Sequence, residues 1–81
     1  MNIEKMQFQG QLADLKKKFK NLDTEASGLL ILIRSLLNPY EEDLTKLDTE
    51  KVLVSVNRLN KVVLELKSLK QKIEKMEDEI D

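Results

Sequence analysis

Histidine and cysteine are absent from this sequence, and it holds only two glycines, one proline and 4% aromatic residues. Without cysteine there is no disulfide framework, no thiolate nucleophile and no cysteine-based zinc site. Without histidine the usual general acid–base at neutral pH is missing. No glycine-rich phosphate loop occurs, and Ser27, Ser35, Ser55 and Ser68 all fall within helical pattern rather than in a nucleophile turn. The expectation is a protein that is not an enzyme, with no catalytic residues, no cofactor and no metal centre. No apolar run approaches the ~18 to 20 residues of a membrane-spanning helix, and the opening MNIEKMQFQGQL lacks the apolar centre of a signal peptide. A soluble, cytoplasmic protein that does not engage membranes is expected.

What the chain does have is helix formers. Charged residues make up 36% of 81 positions, and with so few strand and turn formers the fold class is all-α. A chain this short is one domain at most, buries a small share of its surface and gains from self-association.

Phe8, Leu12, Leu15, Phe19, Leu22, Ala26, Leu29, Ile33 and Leu36 recur in alternating steps of four and three. That 3.5-residue period predicts a helix over about 3–37 with one narrow seam packed knobs-into-holes on a partner helix. Gly10 and Gly28 each weaken it by about 1 kcal/mol relative to alanine, and Gly28, beside Ala26 and Ser27, is expected to admit a close neighbour. From Leu29 onward, Leu30, Ile31, Leu32 and Leu37 add apolar side chains off the seam.

Pro39 ends this helix by pushing Asn38 out of the α region. Asn38-Pro39-Tyr40-Glu41 has the form of a capping box opening a short helix over about 39–46, with Glu41, Glu42 and Asp43 at its positive end. Three consecutive carboxylates lack the ligand spacing of a calcium loop. Asp48 is a good N-cap for a helix over about 49–80, with Leu47 stapled onto Val52.

Along this last helix, Val52, Val56, Leu59, Val63 and Leu66 continue the pattern, and Leu69, Ile73, Met76 and Ile80 follow after an extra step of three. Such a step reads as a stammer that overwinds the seam. Leu53, Val54, Val62 and Leu64 are left over. The short connection makes the two long helices an antiparallel hairpin, in which Leu29 meets Val56, Ala26 meets Leu59, Phe19 meets Leu66 and Leu12 meets Ile73.

Two surfaces then call for partners. Leu30, Ile31, Leu32, Leu37, Leu53, Val54, Val62 and Leu64 form a surplus near the turn, which predicts a homodimer, most simply a four-helix bundle. The competing expectation is a monomer in which the short helix around Leu44 and Leu47 covers the surplus. The second surface is a band of Lys16, Lys17, Lys18, Lys20, Lys67, Lys70, Lys72 and Lys75, in which Lys16 faces Lys70. It reads as a solvated face or as a site for an anion, whether nucleic acid, an acidic protein, or the acidic tail Glu74, Glu77, Asp78, Glu79 and Asp81 of another copy. A net charge of −1 and the presence of only Arg34 and Arg58 as arginines weigh against a dedicated nucleic-acid binder. Asn57, Arg58 and Asn60 read as surface residues between seam positions.

The run IRSLLNPYEEDLTKLDTEKVLVSVNRL, from Ile33 to Leu59, resembles small helical proteins of Mu-like bacteriophages and prophages, in which an R-x-x-L-x-P helix end precedes an acidic turn and an L-D-x-E helix start. The resemblance implies a mobile-element origin and an accessory role. The expected function is a non-enzymatic interaction, adaptor or structural protein. A small nucleic-acid-associated protein is the alternative.

Overall fold

A computed structural model describes residues 3–80, the side chain of Ile80 excepted. Helix α1 spans Ile3–Leu36 and helix α2 spans Thr49–Ile80, with one 3₁₀ turn at Leu44–Lys46 between them. The seam position of Ile80 and the tail residue Asp81 lie outside the described residues. The helices pack side by side and antiparallel into a rod of 66 × 17 × 15 Å. Its radius of gyration is 18.5 Å, against about 12 Å for a compact chain of this length. The interior is therefore a line rather than a volume.

On α1 that line is the expected one. Leu12, Ala26 and Ile33 are buried, and Phe8, Leu15, Phe19, Leu22, Leu29 and Leu36 are partly covered. On α2 the line differs from the expectation. Val62, assigned to the surplus, is 1% exposed and is the most completely buried side chain among the described residues, whereas Val56, assigned to the seam, is 41% exposed. Ser55 is buried in its place. The covered residues of α2 are Val52, Ser55, Leu59, Val62, Leu66, Leu69, Ile73 and Met76, with Val63 beside them. These recur in unbroken steps of three and four, so the seam has no stammer. Uninterrupted periodicity wins over the greater hydrophobicity of Val56, because one serine hydroxyl at the seam disturbs packing less than a change of helical phase does.

Three ion pairs mark the register. Lys18–Glu65 (3.2 Å) and Glu25–Arg58 cross the seam on one flank, and Lys16–Glu77 (2.7 Å) crosses it on the other. Midway between them, Leu12 lies level with Met76, Phe19 with Leu69, Ala26 with Val62, Leu29 with Leu59 and Ile33 with Ser55. The register is thus three residues further along α2 than expected: Ala26 meets Val62 instead of Leu59. Two of these layers pair a larger side chain with a small one, Ile33 with Ser55 and Val62 with Ala26, and small Ala26 lets α1 close over Val62.

The connection also departs from expectation. Asn38 caps a turn rather than a helix: its Oδ1 accepts from the Tyr40 amide (3.0 Å) and its carbonyl accepts from the Glu41 amide (3.2 Å). Asx-turn geometry with proline second suits this segment as well as a capping box does. The Glu41 carboxylate turns forward and accepts from the Asp43 amide (3.1 Å) instead of reaching back to Asn38. Asp43 in turn accepts from the Thr45 amide and hydroxyl, which shrinks the expected helix over 39–46 to Leu44–Lys46. Asp48 caps α2 as expected, its Oδ1 accepting from the Lys51 amide at 3.0 Å, and Leu47 and Val52 are both partly covered.

Candidate assembly surface

In heptad terms, with seam positions a and d, the residues just outside the seam are e on one flank and g on the other. Glu25 and Arg58, and Lys18 and Glu65, are g residues; Lys16 and Glu77 are e residues. The g flank carries two of the three cross-helix ion pairs. Arg58 donates from Nε to one Glu25 oxygen (2.5 Å) and from its terminal nitrogen to the other (2.9 Å), the two-point geometry that suits a guanidinium to a carboxylate. Hydrogen bonding from Arg58, aided by its charge, holds the Glu25 carboxyl below its ordinary value and raises Arg58. Arg58 is the member of the Asn57, Arg58, Asn60 group with an assigned task; both asparagines are exposed.

The e flank near the turn is apolar. Its residues there are Leu30 and Leu37 on α1 and Val56 and Val63 on α2; in the register above, Leu37 lies level with Val56 and Leu30 with Val63. Leu53, one position further round α2, joins them, and Ile31 and Leu64 form the outer rim. Leu30, Leu37, Leu53, Leu64 and Ile31 are all exposed, Ile31 by 70%. Seven of the eight surplus residues are therefore open to solvent, and the eighth, Val62, belongs to the seam. They do not share one side. Leu32 and Val54 sit on the g side, while Val56 and Val63, which the misplaced seam had absorbed, complete the e side.

Among the described residues nothing covers this flank. Leu44 is 71% exposed and Tyr40 is exposed at the tip, so the 3₁₀ turn does not fold back over it, contrary to the monomeric alternative. Gly28 lies away from the flank, and a Cβ there would meet nothing within 4 Å. The close approach expected at Gly28 is absent within the hairpin.

The lysines lie level with one another but surround the rod. Lys16 and Lys70 are at e, Lys20 and Lys67 beside them at b, Lys18 and Lys72 at g, Lys17 at f and Lys75 at c, and all are exposed. Lys16 and Lys18 reach carboxylates, which corrects the expectation that Lys16 faces only Lys70. A groove of about 330 Å³ on the e flank, lined by Lys16, Phe19, Lys70, Ile73 and Glu74, brings both lysines to one opening beside an acid. Glu41 and Asp43 spend their carboxylates on turn amides, and among the described residues no group of three acidic side chains is arranged to hold a metal ion. No helix among the described residues is long and apolar enough to cross a membrane.

Fold and surface together define an antiparallel two-helix coiled coil with one ion-paired flank and one half-apolar flank. No family model, curated protein or solved structure matches the chain.

Proposed function

We propose that this chain is a non-enzymatic interaction module, adaptor or structural, that self-associates through the turn-proximal e flank into a dimeric four-helix bundle. The observation that carries the reading is the contiguous apolar flank of Leu30, Leu37, Leu53, Val56 and Val63, left open while the opposite flank carries two cross-helix ion pairs. Each of these side chains is already partly covered, so burying the remainder contributes about 1 kcal/mol apiece. With the rim residues Ile31 and Leu64 and both copies included, the total is about 14 kcal/mol, which leaves the roughly 8 kcal/mol of a micromolar dimer when association costs about 6 kcal/mol, near the lower end of the roughly 4 to 15 kcal/mol range. A dimer at micromolar concentration is the expected result. Size-exclusion chromatography with light scattering over a dilution series tests it, and a monomer throughout would refute it. An accessory role in a mobile element, in keeping with the resemblance of Ile33 to Leu59, fits a module of this kind.

The alternative, a small nucleic-acid-associated protein, rests on the lysines that have no carboxylate within ion-pair distance among the described residues, such as Lys17, Lys20 and Lys67. Their spread round the rod offers no single cationic face, which favours the assembly reading. A mobility shift with single- and double-stranded DNA that weakens with salt would reverse that preference.

A further inference from the structure

We propose that the second copy packs in parallel, turn beside turn, along the whole e flank rather than with the turns at opposite ends. This rests on the self-association proposed above and adds its geometry. A two-fold axis along the rod sets α1 of one copy against α2 of the other, so each e residue of α1 meets the α2 residue that lies level with it in its own hairpin. Leu37 then meets Val56 and Leu30 meets Val63, all from the apolar half. Further from the turn, Asp23 meets Lys70, and Lys16, already paired with Glu77 of its own hairpin, comes level with the Glu77 of the other copy. One position outward, Lys20 meets Glu74. Every charged pair on this list is of opposite sign. Asp23 and Lys70 are exposed and make no ion pair within the hairpin among the described residues, so both are available to the other copy.

The alternative two-fold axis, across the rod, joins α1 to α1 and can match apolar to apolar only by overlapping the turn-proximal halves. The charged halves then hang free at either end. Area separates the two arrangements. A face 17 Å wide and about 50 Å long gives roughly 850 Å² per copy, or about 1,700 Å² in all, the standard size of a specific interface. Half that overlap gives about 850 Å² in all, below the roughly 1,000 Å² that a specific interface clears. The parallel arrangement also covers the groove at Phe19 and Ile73, whose apolar floor lies on the same flank.

Because the chain has no cysteine, single-cysteine variants of the full chain place one spin label per copy. Gln7→Cys marks the open end on an outer position and Tyr40→Cys marks the exposed tip. Pulsed dipolar spectroscopy should read an intermolecular distance under about 40 Å at both sites, since a four-helix bundle is only two helix diameters across. A signal from Tyr40→Cys with none from Gln7→Cys overturns the parallel geometry while leaving self-association standing; no intermolecular signal from either overturns both. Charge reversal is the second arm. Asp23→Lys and Lys70→Asp should each weaken the homodimer about tenfold or more, and mixing the two variants should restore a heterodimer of wild-type affinity. If neither variant alone shifts the dissociation constant, the parallel geometry is wrong.

Discussion

Val62→Ala and Val56→Ala together test the seam, because one is a seam residue and the other lies one heptad position off it, and they exchange roles if the frame is wrong. Val62 is 1% exposed opposite Ala26. Replacing it removes two buried carbons, worth ~0.8 kcal/mol each, and leaves a cavity that adds up to ~1 kcal/mol. The higher helix propensity of alanine returns about 0.5 kcal/mol. The expected cost is about 2 kcal/mol, a large fraction of the roughly 4 to 12 kcal/mol available to a domain of this length. Val56 is 41% exposed, so its truncation costs about 0.8 kcal/mol of burial, and the propensity gain brings the variant to within about 0.5 kcal/mol of wild type. Urea denaturation followed by far-ultraviolet circular dichroism measures both. At concentrations low enough to hold the chain monomeric, Val62→Ala should lower the midpoint and Val56→Ala should barely move it. At higher concentration the Val56→Ala deficit should grow, because the proposed dimer would then bury the flank against the other copy. A larger loss for Val56→Ala than for Val62→Ala in the dilute samples would refute the seam described here.

Gly28→Ala should stabilise the chain by about 1 kcal/mol through helix propensity alone, since the new methyl meets open space, and should leave the dimer constant unchanged because Gly28 lies off the e flank. Ser55→Ala, read in the same denaturation assay, should also stabilise, by about 0.5 kcal/mol, by removing a hydroxyl from a buried seam position. Asp48→Ala should cost about 1 kcal/mol through loss of the cap on the Lys51 amide, measured as a lower urea midpoint. The Glu25 carboxyl titrates below its ordinary value of 4.5 when folded, because Arg58 hydrogen-bonds to its charged form. Its contribution to stability is therefore fully present above 4.5 and is lost as pH falls through the lowered folded-state value. The stability difference between wild type and Glu25→Gln should be seen at pH 7 and should vanish at acid pH below that value; a difference that persists there would show that the pair is not its source.

α1 could be read directly from the sequence because each of its seam positions is apolar and the residues beside them are mostly polar, so only one phase fits. α2 offers two phases. Val52, Leu53, Val54 and Val56 stand together, as do Val62 and Val63; hydrophobicity selects Val56 over Ser55, and the four-three spacing continued from Val56 and Leu59 then selects Val63 over Val62. The connection was ambiguous for another reason. An asparagine before proline with a glutamate three residues after the asparagine satisfies both a capping box and an Asx turn, and the choice depends on whether the Glu41 carboxylate reaches back or forward. The Asp48 cap had no such rival, and it stands where the sequence places it.

In a two-helix coiled coil the interior is one residue wide on each helix, so a phase error does more than misplace packing: it exchanges interior for surface. Assigning Val56 and Val63 to the seam removes the two α2 residues that face Leu37 and Leu30, and what is left of the surplus looks scattered over several sides. With Ser55 and Val62 in the seam, the same residues resolve into one continuous flank and two outliers, Leu32 and Val54. The charged positions beyond that flank, Asp23, Lys70, Lys16 and Glu77, then fall into register with it. Ser55 is the residue on which this turns. A polar side chain at a buried seam position is tolerated because it keeps Val52 and Leu59 in phase, and keeping them in phase is what leaves Val56 facing outward.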